Sequence, residues 1–373
     1  MNRGTSRLRV AVTVEQSWHV VPGGIATSTV ELLRALVVRG DLDLVGVAAR
    51  HRHPPAPSFV PPVPVRQLPF PRRLLYETWQ LVDIPRVERA TGPVDVVHDA
   101  GYVVPPTRAP LVATVHDLFF LDRPEHYTWH SRLVLKRGLE RARRRARLVM
   151  CPSRATMAAC GAAGIEPERL RLVPWGVHEL TPTADQRDRV RRRYALDRPY
   201  VLFCGTLEPR KNIGRVLQAF GALERSDVEL VLAGPQGWKE DLEADLERLR
   251  GRARLLGFVP RDDLSAMYAG AAVVAYPSLA EGFGLPVLEA MAQGAPVVTS
   301  VGTATEEVAG DAALLVDPLD VGGIAAAIQR LLTDRELAAA LGAAAKERAA
   351  TFTWERSAGL AAAVYAEAAE APS

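Results

Sequence analysis

Two glutamates open the chemical reading of this chain. The segment Glu281-Gly-Phe-Gly-Leu-Pro-Val-Leu-Glu289 follows an apolar run at Val273–Tyr276 and a turn at Pro277–Ala280. Pro286 suits the first turn of a helix, where a missing N–H costs nothing. Gly282 and Gly284 let the backbone approach a ligand closely, and free N–H groups at a helix start bind phosphate or sugar oxygens. Glu281 precedes the expected helix and Glu289 lies about one turn inside it, so the two carboxylates address different parts of one ligand. Pairs of hydroxyls, as sugars and ribose present them, are natural donors to such carboxylates. A second segment, Cys204-Gly-Thr-Leu-Glu-Pro-Arg-Lys-Asn-Ile213, leaves the run Tyr200–Cys204 and enters a helix for which Asn212 is the expected N-cap. Arg210 and Lys211 lie just before that helix, where a diphosphate would meet two cations and a helix N-terminus. That chemistry is metal-free stabilisation of a departing diphosphate.

The first half carries sparser signals. Pro22-Gly23-Gly24-Ile25-Ala26 follows the first apolar run and opens a helix around Ile25–Arg39. The diglycine gives an anion close backbone approach, although a plain tight turn fits it equally; it is not a dinucleotide fingerprint. His116-Asp117 ends the run Leu111–Val115, where an α/β sheet places active-site residues. A structural histidine fits that position as well. Asp99 after His98 is a weaker version of the same pattern. Asp41-Leu-Asp43 matches a metal-binding DxD by letter, but it lies at a strand start and no metal is expected there.

These segments need a scaffold. A chain of 373 residues fits two domains of roughly 180 residues. Apolar residues at 48% and charged residues at 24% exclude disorder and collagen-like structure. Strand candidates in the first half are Leu8–Val14, Leu42–Ala48, Asp95–His98, Leu111–Val115 and Leu148–Cys151. In the second half they are Tyr200–Cys204, Glu229–Ala233, Arg254–Leu256, Val273–Tyr276, Val297–Thr299 and Leu314–Val316. Runs apolar on both faces, separated by helical segments, indicate parallel α/β sheets. The pattern restarts near residue 180, after which Thr181–Arg198 suits a linker followed by a surface helix. His51–Pro71 holds eight prolines and reads as an extended surface loop. The expectation is two doubly wound domains, with ligands at the carboxyl ends of their strands and a crevice between the domains.

Charge and cysteine usage narrow the setting. Net charge is +3, which excludes a whole-chain polybasic nucleic-acid binder. The total averages 25 basic and 16 acidic residues in 1–180 with 21 and 27 in 181–373. Eight cations cluster between Arg132 and Arg147, among them Lys136, Arg137, Arg141, Arg144 and Arg145, while Leu135, Leu139, Ala142 and Ala146 form an apolar stripe. A solvated charged face and a surface that docks on an anionic membrane both fit this amphipathic helix. Cys151, Cys160 and Cys204 show no CxxC spacing, so neither a disulfide framework nor a zinc knuckle is expected. No apolar run reaches the ~18 residues that span a bilayer, and Val10–Val14 is too short for a signal-peptide core of roughly 7–15 residues. The expected location is the cytoplasm, with peripheral attachment to the inner face of the plasma membrane as the reading that goes with membrane docking.

The stretch from Tyr276 through Glu281-Gly-Phe-Gly-Leu-Pro-Val-Leu-Glu289 to Thr299 resembles the signature of retaining glycosyltransferases of family 4, also called group 1. Gly205–Asn212, Val231–Gly234, Leu256–Val259 and Asp311–Pro318 fit the same family, as do Gly23-Gly24, His116-Asp117 and Val173–Val177 more loosely. The resemblance implies a GT-B-type fold, with two Rossmann-like domains facing a central cleft. The implied division is an acceptor-side domain over 1–178, a nucleotide-sugar domain over 179–352, and a helix in 353–373, about Trp354–Ala368, that crosses back to the first domain. It further implies that Arg210 and Lys211 contact the donor diphosphate and that Glu289 binds the ribose hydroxyls. Glu281 and the backbone of Gly282, Phe283, Gly284 and Leu285 would hold the transferred sugar, and Phe258 and Val259 the base. Gly23 and Gly24 would approach the donor phosphate, and His116 the sugar near its reacting carbon.

The implied activity is retaining, metal-independent transfer of a hexosyl group from a nucleotide-diphosphate sugar, with no cofactor. The acceptor is a hydroxyl of a glycan, lipid-linked or small-molecule partner. Similarity to the mannosyltransferase-like branch favours GDP-mannose; UDP-sugars stand as the alternative, as does a nucleotide-sugar epimerase on the same fold. A non-catalytic membrane-binding module is the distant alternative.

Overall fold

The computed structural model describes residues 7–20, 22–178, 181–235, 237, 242–249 and 251–370. The expected boundary at 178/179 abuts positions 179–180, outside the described residues. The chain divides into one unit of Met1–Gly176 with Thr353–Ser373 and a second of Val177–Phe352.

The first unit is built on a seven-stranded sheet. Its strands are β1 (Leu8–Thr13), β2 (Leu42–Ala48), β3 (Val65–Gln67), β4 (Val96–Asp99), β5 (Leu111–Thr114), β6 (Leu148–Cys151) and β7 (Leu170–Leu172). Their order is β3-β2-β1-β4-β5-β6-β7, every pairing parallel. Val10, Ala11, Val96, Val97, Val112 and Val149 are fully buried, which is why these strands read as unbroken apolar runs.

Two strands escape a hydropathy reading. β3 lies inside the proline-rich segment expected as a loop. It is an edge strand and needs few donors of its own: Gly46 N–H bonds Pro64 O at 2.9 Å, and Leu68 N–H bonds Ala48 O at 2.9 Å. Prolines on either side therefore cost the ladder nothing. β7 is short, and its middle residue Arg171 turns outward to an ion pair with Glu367. Cys151 and Cys160, nine residues apart, are brought to an Sγ–Sγ separation of 3.8 Å as free buried thiols.

Helix Trp354–Glu370 belongs to this unit and packs on helix Gly23–Arg39. Ser357 Oγ donates to Pro174 O at 2.6 Å, and Tyr365 OH lies 2.9 Å from His98 Nδ1 in the interior. A Cβ at Gly176 would lie 2.2 Å from Trp354 N, so only glycine allows that approach.

The second unit repeats the scheme with six parallel strands. They are β8 (Tyr200–Cys204), β9 (Glu229–Ala233), β10 (Ala253–Gly257), β11 (Val273–Tyr276), β12 (Val297–Ser300) and β13 (Leu314–Val316), in the order β10-β9-β8-β11-β12-β13. The strand order reverses between β8 and β11, and that is where an open α/β sheet forms its ligand crevice. Among the described residues no helix is long and apolar enough to cross a membrane.

Candidate active site

In the second unit the two segments singled out by sequence leave adjacent strands at this switch point. The loop after β8 carries Arg210 and Lys211 in a 3₁₀ turn, Pro209–Lys211; the loop after β11 carries Glu281. Leu279 N–H bonds Arg210 O at 2.9 Å and stitches the loops together. Asn212 stands at φ +63° before helix Ile213–Gly221, and its side chain does not cap that helix. Instead its Nδ2 donates to Pro277 O at 2.8 Å and to Pro318 O at 2.6 Å, tying the loops after β8, β11 and β13 together. The expected N-cap is thus a cross-loop brace, and its Oδ1 accepts from Arg215 Nη1 on the helix at 2.8 Å.

Glu281 is the hub of the cluster. Arg210 Nη1 reaches its Oε2 at 2.9 Å and Lys211 Nζ its Oε1 at 2.6 Å. Tyr276 OH and Ser278 Oγ donate to the same Oε1 at 3.0 and 2.9 Å. Glu208 accepts from Arg210 Nη2 at 2.7 Å, and Lys211 Nζ donates to Tyr276 OH at 2.5 Å. Burial works against the Glu281 carboxylate, but the charges of Arg210 and Lys211 and the hydrogen bonds from Lys211 and Ser278 outweigh it and hold its pKa at about 2. Burial and the neighbouring Arg210 lower Lys211, while Glu281 and Glu208 act to keep it protonated. The side chains are therefore locked in place before any ligand arrives.

Gly284 opens helix Leu285–Ala292 at φ +104°, and a Cβ there would lie 2.7 Å from Thr305 Cγ2. Its conformation and its packing both demand glycine. Glu289 sits on that helix in separate surroundings, with Tyr268 OH donating to its Oε2 at 3.4 Å. Gly282 and Phe283 are buried and Leu285 is half-buried. Phe258, just past β10, is 72% exposed, while Val259 is buried. Tyr276, Tyr268, Ser278 and Glu208 are the members sequence reasoning missed. Tyr276 lay in view, read as the last residue of a strand.

The first unit places its residues differently. Gly23 and Gly24 are exposed at the start of helix Gly23–Arg39, Gly23 with φ +65°. His116 follows β5, is buried, and has Nε2 2.9 Å from Ala100 O. Its ring lies 5.7 Å from Tyr102 and 5.9 Å from Trp175, and burial lowers its pKa. Asp117 instead accepts from Phe119 N–H at 3.3 Å. His98 is inside the fold, bonded to Thr114 Oγ1 at 2.7 Å, and burial holds its pKa near 3. Asp99 accepts from Thr13 Oγ1 at 3.0 Å and from Gly101 N–H at 3.2 Å; burial raises it to about 6.

The basic stretch folds as helix Trp129–Arg145 with Gly138 and Ala142 buried. Its charge is not one uniform field. Arg141 and Arg145 both bind Asp83, and Arg143 and Arg144 both bind Glu140. The Arg141 side chain is only 13% exposed. Of the membrane-face candidates, Arg141, Arg144 and Arg145 are each ion-paired to a carboxylate on a neighbouring turn or on the helix itself, while the Arg144 and Arg145 side chains stay 70% and 44% exposed. Lys136 and Arg137 stay exposed, with no ion pair recorded among the described residues.

Two parallel doubly wound units, one with a cation–carboxylate hub at its switch point, define a two-domain α/β protein with a charged site where such sheets bind ligands. The family follows from comparison. Residues 185–348 match the model "Glycosyl transferases group 1", and residues 22–179 match "Glycosyltransferase Family 4". The chain is 35% identical over 316 residues to O-antigen chain mannosyltransferase B of Escherichia coli, covering 78% of this chain and 80% of that one. It is 33% identical over 303 residues to the MMP alpha-(1->4)-mannosyltransferase of Mycolicibacterium hassiacum, covering 74% and 71%. Among solved structures, Anabaena HepE, determined with UDP and glucose, superposes with a TM-score of 0.77 at 20% identity over 97% of this chain and 100% of that one. The chain belongs to the group 1, family 4 glycosyltransferases and has their two-Rossmann GT-B fold.

Proposed function

We propose that this glycosyltransferase moves a mannosyl group from GDP-mannose, with retention and without a metal, to a hydroxyl of a glycan, lipid-linked or small-molecule acceptor. The observation that carries the donor reading is the hub at the β8/β11 switch point, where Arg210 and Lys211 are both held on Glu281. Charge develops on the diphosphate as the glycosidic bond breaks, and fixed cations stabilise that charge without reorganising. Glu289, set apart on helix Leu285–Ala292, is assigned to the ribose hydroxyls; Glu281 and the Gly282–Leu285 backbone are assigned to the sugar. Phe258 and Val259 take the base, and Gly23, Gly24 and His116 serve from the first unit. The acceptor hydroxyl attacks from the leaving-group side and passes its proton toward the phosphate. Mannose is favoured because both curated relatives compared above are named mannosyltransferases.

A donor screen tests this reading. GDP-mannose, GDP-fucose, UDP-glucose, UDP-GlcNAc and UDP-galactose are assayed for thermal shift and hydrolysis, with wild type and Arg210→Ala. The expected result is a response to GDP-mannose that drops by about 10²–10³-fold in the variant. Wild-type turnover in Arg210→Ala would refute the site, and a response to UDP-sugars alone would replace the donor.

The same reading places the protein against an anionic membrane. Lys136 and Arg137 supply exposed charge that is in no ion pair among the described residues. Leu81, Val82 and Ile84 project from the turn at Asp83, at 67%, 58% and 54% exposure, and Asp83 is pinned to the basic helix by Arg141 and Arg145. Apolar side chains beside cations suit the lipid boundary. Co-sedimentation should recover the protein with anionic liposomes and not with neutral ones; equal recovery sinks the idea.

A further inference from the structure

The first unit contains a second built site that the donor reading leaves unused. The 3₁₀ turn Glu15–Trp18 leaves the carboxyl end of β1, and His51 follows that of β2, on the same sheet edge as His116. Glu15 is buried, and its carboxylate is spent inward. Oε2 accepts from Ala49 N–H at 2.8 Å, and Oε1 lies 2.9 Å from His51 Nε2. The imidazole fixed in this way stacks on the indole of Trp18, with ring centroids 4.7 Å apart and planes within 9°. Trp18 Nε1 donates to His53 O at 2.8 Å, which fixes the remaining freedom of the ring. A buried carboxylate thus orients an imidazole, and the imidazole holds an indole that is itself half-exposed.

The next residue supplies a polar group. His19 Nε2 is buried from solvent and has no hydrogen-bond partner among the described residues. Such a group costs about 1–3 kcal/mol when left unpaired, and because the residue is only half-buried, a turn of the ring toward solvent would let a ligand hydroxyl satisfy it. Burial, Arg72 and His51 keep the ring neutral, with a pKa near 4. This turn also borders the point where the strand order of the first sheet reverses, between β1 and β4. There a Cβ on Gly101 would stand 3.1 Å from Gln16 Nε2, so the loops after the two strands are in contact.

We propose that Trp18, backed by His51 and Glu15 and flanked by His19, is a subsite for one sugar ring of a neutral glycan acceptor. An aldohexose presents a C–H face that suits an indole and a rim of hydroxyls that suits a neutral imidazole nitrogen. A rigid aromatic surface with one convergent polar group is the usual make-up of a small-molecule site, and pre-ordering the ring lowers the entropy lost on binding. The proposal rests on the transferase reading, because an acceptor is what such an enzyme binds besides its donor.

Saturation-transfer NMR on the full chain tests it, with methyl α-D-mannopyranoside, methyl α-D-glucopyranoside and α-1,2-mannobiose as probes. Trp18→Ala and Trp18→Phe are compared with wild type, and GDP and UDP binding by wild type is measured in parallel. The expected result is saturation of the C–H protons of at least one probe, an affinity lowered tenfold or more in Trp18→Ala, and near-native affinity in Trp18→Phe. If Trp18→Ala does not fold, His19→Ala carries the test, with an expected loss of several-fold. No signal from any probe in wild type, or equal affinity in wild type and the truncated variants, overturns the platform. A wild type that binds a glycoside through Trp18 but takes neither GDP nor UDP overturns the donor reading and leaves the platform standing.

Discussion

The two units share one fold plan and load it with opposite chemistry. In the second, the switch point between β8 and β11 carries full charges locked to one another: Arg210 and Lys211 on Glu281, and Glu208 on Arg210. In the first, the matching edge carries rings, His51 stacked on Trp18 and His116 against Tyr102 and Trp175. Bulk charge runs the other way. Residues 1–180 hold 25 basic and 16 acidic residues, and 181–373 hold 21 and 27. Site chemistry is therefore set by which side chains the strand ends fix in place, and the net charge of a domain is silent about it. Four of the first unit's arginines, Arg141, Arg143, Arg144 and Arg145, are bound to Asp83 and Glu140, far in role from its sheet edge.

The sharpest way to break this contrast is Lys211→Met. If the hub exists to meet diphosphate charge, kcat for donor cleavage falls by about 10²–10³-fold. Stability falls too, because Glu281 loses a donor while remaining buried; removing one partner of a buried pair costs about 3–5 kcal/mol. Steady-state kinetics and a thermal melt read the two effects separately. A stable Lys211→Met with undiminished kcat would reduce the hub to a structural ion pair.

How much of this was legible beforehand differs between the units for a physical reason. β8, β11 and β13 coincide with unbroken apolar runs, the positive-φ glycines Gly205 and Gly234 mark where β8 and β9 give way to loops, and Gly284 marks the start of helix Leu285–Ala292. Chemistry and punctuation fall together there, so Arg210, Lys211, Glu281 and Glu289 could be named from sequence. Glu15, Trp18, His19 and His51 share no motif; they meet because β1 and β2 are neighbours in the sheet. The pairing of Asp83 with Arg141 and Arg145 is likewise a tertiary fact, which is why the basic helix looked freer than it is. β3 hid among prolines because an edge strand tolerates them.

A gentler test of the comparison uses pH, since the two units respond in different windows. His98 and His19, with pKa lowered to about 3 and about 4 from 6.5, refuse protons that the unfolded chain accepts. Their effect is that stability falls as pH drops below 6.5. Asp99 opposes this in part: raised from 3.8 to about 6, it takes up a proton in the folded state first, which favours the fold as pH falls through that interval. Two histidines against one aspartate leave a net loss between pH 6.5 and 4. Glu281, lowered from 4.5 to about 2, contributes stability that is present above 4.5 and lost as pH falls toward 2, a later window. Calorimetric melting temperatures measured from pH 7 down to 3 should therefore fall in two stages. His98→Gln should flatten the stage between pH 6.5 and 4 and leave the one below 4.5 in place. An unchanged upper stage in that variant would show that the buried imidazole of the first unit does not govern it.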